Sequence, residues 1–237
     1  MGQDSNSGNA QAAANRTFRL KRSPGFYNVV TGIGKPLIGW YYDLRCEGRE
    51  LIPESGPVFL AMKHINIFDI MAVAVSVERQ LNTLQKVELT ENPMLEYLLE
   101  KAGAIPIDRD DTLSAISREA VSYSKWLLNH DEAVALFPEM TRIIGYVGKL
   151  HPDLITHYSR RVREVPTFSV GIWYDDPINW TRRGNRVEIR IEKADMSGGS
   201  LEEIADSMGK QMARLSRVEY HPELSPKYLN KKGVLGG

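Results

Sequence analysis

The sequence predicts an α/β fold, a largely parallel central sheet flanked by helices, and three observations carry that expectation. Short runs enriched in β-branched, apolar and aromatic residues recur at 57–62, 83–87, 104–107, 133–137, 167–174 and 187–191. Stretches with apolar residues at helical spacing lie between most of them, at 67–77, 93–101 and 113–128, with a last one at 201–218. The 237 residues, 42% hydrophobic and 25% charged, suffice for one well-filled core, and no internal repeat or interior linker divides them. Strands and helices that alternate in this way pair in parallel, with the crossover helices covering the sheet. Functional groups in such sheets gather on loops at the carboxyl ends of the strands.

Ahead of these elements, residues 1–15 are mostly Gln, Asn, Ser, Gly and Ala, too poor in large apolar side chains to offset the entropy of ordering. A disordered tail is expected there. Residues 16–46 read as an amphipathic segment, since Phe26, Val29, Val30, Ile33, Leu37, Trp40, Tyr41 and Leu44 make one helical face. The charged residues beside it, Arg16, Arg19, Lys21, Arg22 and Lys35, are all basic. Gly34 and Pro36 interrupt the pattern, which predicts a pair of short helices joined by a bend. A basic flank next to an apolar face with Trp and Tyr suits an anionic membrane surface, where each nearby cation contributes on the order of 1 kcal/mol. It equally suits a helix packed on the core, and this segment alone leaves both readings open.

Composition excludes several classes. Lys plus Arg number 30 and so do Asp plus Glu, unlike the basic excess of a nucleic-acid binder. The lone Cys46 forms no internal disulfide and reads as a small buried hydrophobe in a reducing compartment. No run of about eighteen apolar residues offers a membrane span, and no secretory signal pattern opens the chain. Met1-Gly2 is followed by Asn6 where N-myristoylation requires Ser or Thr. The phosphate-loop, dinucleotide-binding and serine-esterase motifs are all missing. His130, His151, His157 and His221 lack metal-ligand spacing, so no metal site is expected. A basic stretch at 158–163, with Arg160, Arg161 and Arg163, fits either a carrier phosphate or a solvated helix face.

Four segments carry candidate chemistry. After the run ending at Met62 comes Lys63-His64-Ile65-Asn66-Ile67-Phe68-Asp69. Five residues on a continuous helix would set His64 and Asp69 about 140° apart, so the two meet only with His64 on a loop. Asn66 as an N-cap would start the helix at Ile67 and put Asp69 in its first turn, where free amides favour a carboxylate. An ionised Asp bonded to one ring nitrogen leaves the other free to remove a proton. The second segment, Gly103-Ala104-Ile105-Pro106-Ile107-Asp108-Arg109, and the third, Phe137-Pro138-Glu139-Met140-Thr141-Arg142, each follow a predicted strand onto the same rim. Two guanidiniums on one rim match phosphate oxygens. The fourth, Val165-Pro166-Thr167-Phe168-Ser169-Val170-Gly171, reads by itself as one more core strand.

In order and approximate spacing these segments resemble the glycerophospholipid acyltransferase family, most closely bacterial 1-acylglycerol-3-phosphate acyltransferases, whose blocks read N-H-x-x-x-x-D, G-x-x-x-I-x-R, F-P-E-G-T-R and a final V-P strand. The resemblance covers roughly 44–174 and makes 47–237 the expected acyltransferase domain. It implies His64 as general base, Asp69 as its orienter, and Arg109, Glu139, Thr141 and Arg142 as acceptor-binding residues, with Lys86 as a phosphate contact. It implies transfer of a fatty acyl group from acyl-CoA or acyl-ACP, a co-substrate rather than a cofactor, to lysophosphatidic acid. The expected partners are that lysophospholipid acceptor, the acyl carrier and an anionic membrane, with the protein peripheral on the cytoplasmic face. Two departures stand out: Lys63 replaces the family's Asn and puts a cation next to the base, and Met140 replaces its Gly. The second keeps another lysophospholipid or glycolipid acceptor in view, and a non-catalytic lipid-binding protein is the rival from another class.

Overall fold

The computed structural model describes residues 23–90, 92–108, 114–152, 165–179 and 181–224. The expected tail at 1–15, the basic residues at 16–22, Arg109 and the stretch at 158–163 lie outside the described residues. The chain runs α1 (Pro24–Tyr41), β1 (Asp43–Glu47), β2 (Val58–Met62), α2 (Asp69–Val77), β3 (Leu81–Lys86), α3 (Pro93–Ala102), β4 (Ala104–Ile107), α4 (Ala115–Asn129), β5 (Ala133–Leu136), β6 (Tyr146–Val147), β7 (Thr167–Tyr174), β8 (Arg186–Lys193), α5 (Leu201–Leu215) and β9 (Glu219–Tyr220). Seven strands form one sheet in the order β1-β8-β7-β2-β5-β3-β4, and β6 pairs with β9 apart from it. Every pairing in the large sheet is parallel except that of β7 with β8.

Strand β2 shows why its sequence is an unbroken apolar run. Phe59 and Ala61 point into a core with Ala120 and Leu127 of α4 and Met208 and Met212 of α5. Val58, Leu60 and Met62 point the other way, toward Tyr27 of α1 and Ala72, Val73 and Ala74 of α2. A parallel strand covered on both faces has no polar side to alternate with.

Two expectations change at the amino end. The helix α1 runs without a break through Gly34 and Pro36, one helix where a pair was expected. Pro36 removes an amide donor and crowds the carbonyl of Gly32, at a cost of about 3 kcal/mol. Packing outweighs it. Gly34 lies so close to α2 that a Cβ there would sit 3.7 Å from both Met71 and Val75. Buried Tyr27 donates its hydroxyl to Arg79 O at 2.8 Å and accepts from Leu81 N at 3.3 Å. The helix starts on Ser23, whose Oγ accepts from Phe26 N at 3.3 Å, with Pro24 at its first position. Leu44, assigned above to the helical face, instead belongs to β1, the outermost strand, so a boundary after residue 46 cuts through the sheet. Among the described residues no helix is long and apolar enough to cross a membrane.

The neighbours β2 and β5 send the chain to opposite faces. After β2 it enters α2 in one core; after β5 it reaches Val147 and Leu150 in the other. Where adjacent connections diverge, a crevice opens at the carboxyl ends of the strands.

Gly171 on β7 lies against the end of α5, where a Cβ would come within 2.5 Å of Leu215 C and 2.8 Å of Ser216 N. Gly171→Ala is therefore expected to lose roughly 1–3 kcal/mol of stability in chemical denaturation, because rigid backbone has to move.

Candidate active site

The loop from β2 to α2 folds around a single carboxylate. Oδ2 of Asp69 accepts from Ile65 N at 2.6 Å, from Asn66 N at 2.9 Å and from His64 Nδ1 at 2.8 Å. Its Oδ1 accepts from the Tyr174 hydroxyl at 2.9 Å. Asp69 is fully buried, so these donors take the place of water around its oxygens. Because Oδ2 can only accept, Nδ1 of His64 carries its proton and Nε2 is the basic nitrogen. Asn66 assists differently from expectation: its Oδ1 accepts from Phe68 N at 2.8 Å, a local turn, and the helix begins at Asp69 itself. The carboxylate still sits at a helix mouth.

Tyr174 is the last residue of the apolar run at 167–174. It ends β7 on the same rim, and burial and the neighbouring Asp69 anion push its phenol far above the ordinary value, so it stays a donor. Only its place at a strand's carboxyl end hinted at a role.

The loop after β5 meets the His64 loop from the other side of the crevice. Phe137 stacks on the imidazole at 4.0 Å between ring centres, and Ile143 N donates to His64 O at 3.0 Å. Glu139, expected to touch the acceptor, is fully buried beneath the turn. Its Oε1 accepts from Gly148 N at 2.9 Å and its Oε2 from His64 N at 3.4 Å, while the Lys63 ammonium bonds both oxygens at 2.9 and 2.8 Å. No lone pair is left to face a substrate, which corrects that expectation. Lys63 likewise points its charge into the core rather than standing free next to His64. Burial lowers the Lys63 pKa and raises that of Glu139, and each charge opposes the shift of the other.

The ring of His64, 15% exposed, lines a cleft with Ile67, Ile70, Leu84, Gln85, Lys86, Leu89, Ile107, Leu136, Phe137, Met140 and Arg142. The cleft is open to solvent and spans about 930 Å³ with its open mouth included. Thus His64, Lys86 and Arg142 share one space, Asp69 stands behind the base, and half-buried Thr141 lies on the turn without lining the cleft. Arg109 follows Ile107, which does line it, by two positions. A basic imidazole nitrogen, two cations and an apolar wall suit a reaction that brings together a nucleophilic hydroxyl, an anionic group and a fatty chain.

Lys63→Met leaves the buried Glu139 without its counter-ion and is expected to cost about 3–5 kcal/mol in denaturation, whereas Lys63→Met with Glu139→Leu recovers most of that loss. A double variant no more stable than the single one would show that the charges are not coupled.

Comparison with known proteins bears on the same stretch of chain. A family model described as Acyltransferase matches residues 43–167, more than half of the chain, with the first three segments whole and the fourth up to the start of β7. No curated protein sequence matches the chain. In three dimensions it is similar to the crystal structure of the 1-acyl-sn-glycerophosphate (LPA) acyltransferase PlsC from Thermotoga maritima, with a TM-score of 0.62 and 18% identity over 88% of this chain and 87% of that one. At that identity the likeness is one of fold, and the family match on the His64 to Arg142 stretch supplies the rest: the chain belongs to the Acyltransferase family.

Proposed function

We propose that this protein moves a fatty acyl group from an acyl thioester, on coenzyme A or acyl carrier protein, to the free hydroxyl of lysophosphatidic acid at a membrane surface, making phosphatidic acid. The observation that carries the reading is the His64–Asp69 pair opening into an apolar cleft that also holds Lys86 and Arg142. Nε2 of His64 takes the hydroxyl proton as the oxygen attacks the thioester carbonyl. Asp69 stabilises the imidazolium that results. The tetrahedral intermediate then collapses, the C–S bond breaks, and the proton passes to the departing sulfur. A thiolate leaves readily, so the chemistry needs neither a metal nor a strong acid, and the barrier is lowered by positioning and base catalysis. Lys86, Arg142 and Arg109 serve the phosphate; Asp69, Tyr174, Glu139 and Lys63 position.

Membrane docking belongs to the same proposal. On α1, Val29, Ile33, Leu37 and Trp40 form an outward stripe at 59, 58, 58 and 63% exposure, while Tyr27 holds the inner side. Arg183 lies over the Trp40 ring at 4.1 Å, on the loop that follows β7 and bears Ile178, 83% exposed. That loop and the end of α1 sit on the rim that carries His64, so a bilayer reached by the stripe lies next to the cleft.

His64→Ala is expected to lower turnover by ~10²–10⁴-fold in a purified assay with labelled thioester, while vesicle binding stays intact. Near-normal transfer by that variant would sink the mechanism. Arg142→Ala is expected to raise KM for lysophosphatidic acid more than for lysolipids with larger head groups, and a uniform change across the panel would point to another acceptor. Replacing both Ile33 and Leu37 by Glu is expected to weaken partition onto anionic vesicles by about tenfold or more without loss of folding, since both side chains are exposed. Transfer with no acceptor, together with retained vesicle binding, would favour the lipid-binding rival.

A further inference from the structure

Met140 sits in the turn after β5 with φ of 57°, in the left-handed region where a side chain crowds its own backbone. Glycine would hold the same turn without that strain. The side chain is on the buried floor of the cleft: Met140, Leu84, Ile107 and Leu136 are 5, 8, 4 and 2% exposed, whereas Ile67 and Leu89 at the mouth are 58 and 38% exposed. A strained position thus carries an unbranched, adaptable thioether into the apolar end of the substrate space.

We infer that Met140 is the specificity-determining residue for the transferred chain, closing the apolar end of the cleft and so setting the length of acyl group that enters. This rests on the acyl-transfer reading above. The acceptor's own chain can stay in the bilayer, but the transferred chain has to bring its thioester carbonyl to His64, which draws its methylenes into the apolar cleft. The floor beyond His64 is built for it. Shortening Met140 enlarges the buried apolar floor of the cleft, and one methylene more or less in a hydrophobic pocket changes kcat/KM by roughly 10–200-fold.

The test measures kcat/KM over a homologous series of saturated acyl thioesters, from medium to long, for wild type, Met140→Gly, Met140→Ala and Met140→Leu. Met140→Gly is expected to shift the preference toward longer chains by about tenfold or more, Met140→Ala by less, and Met140→Leu, of similar volume, to keep the wild-type profile. Preference for the lysolipid's own chain is expected to stay unchanged in all of them. Thermal denaturation checks folding, and if Met140→Gly does not fold, Met140→Ala carries the same expectation. An unchanged donor profile, or a shift in the acceptor-chain profile instead, overturns the assignment of Met140 and leaves the acyl-transfer reading standing. A wild-type protein that transfers no chain at all overturns that reading and the assignment with it.

Discussion

Four hydrogens converge on the carboxylate of Asp69, a group with no access to water. A buried carboxylate with fewer partners would leave polar atoms unsatisfied, so the donors and the carboxylate require each other. Two of them are backbone amides, which bend the chain back on itself between β2 and α2 and hold His64 off the helix. The third is the imidazole, whose tautomer follows from the bond. The fourth, from Tyr174, ties the end of β7 to the same atom group. Loop shape, base orientation and the meeting of two strand ends therefore all rest on one ionised side chain.

A second charge arrangement operates one layer deeper. Lys63 and Glu139 bring both ends of an ion pair out of water, which by itself does little for net stability. What it supplies is position. Lys63 leaves the β2 strand and Glu139 leaves the β5 strand, so their bond spans the crevice from below and brings Phe137 against the imidazole. The cations take different places: Lys63 holds the two loops, while Lys86 and Arg142 line the cleft.

Much of this was legible in the chain because it is local. The runs at 104–107 and 167–174 match β4 and β7 residue for residue, since strands buried on both faces leave an apolar block between turns. The pairing of His64 with Asp69 followed from a loop and a helix start within six positions. Strand β1 was hidden because Asp43-Leu44-Arg45-Cys46-Glu47 offers two apolar residues, and Leu44 continues the helical spacing of α1. The bend expected at Pro36 is overridden by packing on α2, which a local propensity does not contain. Glu139 and Lys63 are 76 positions apart and Tyr174 and Asp69 are 105 apart; such partners emerge only once strands β2, β5 and β7 stand side by side.

The outermost strand, β1, has a consequence of its own. Among the described residues no strand pairs with its outer edge, which is a ready template for a further strand from another molecule. Along it Asp43, Arg45 and Glu47 alternate with Leu44 and Cys46, and the three charged residues are the exposed ones. Proteins confined to a surface meet one another far more often than proteins dispersed in bulk, and a bare apolar edge would then knit neighbours into aggregates. The short β1 edge, with charges of alternating sign, offers another strand no such apolar seam, so that neighbouring molecules can crowd together without welding their sheets.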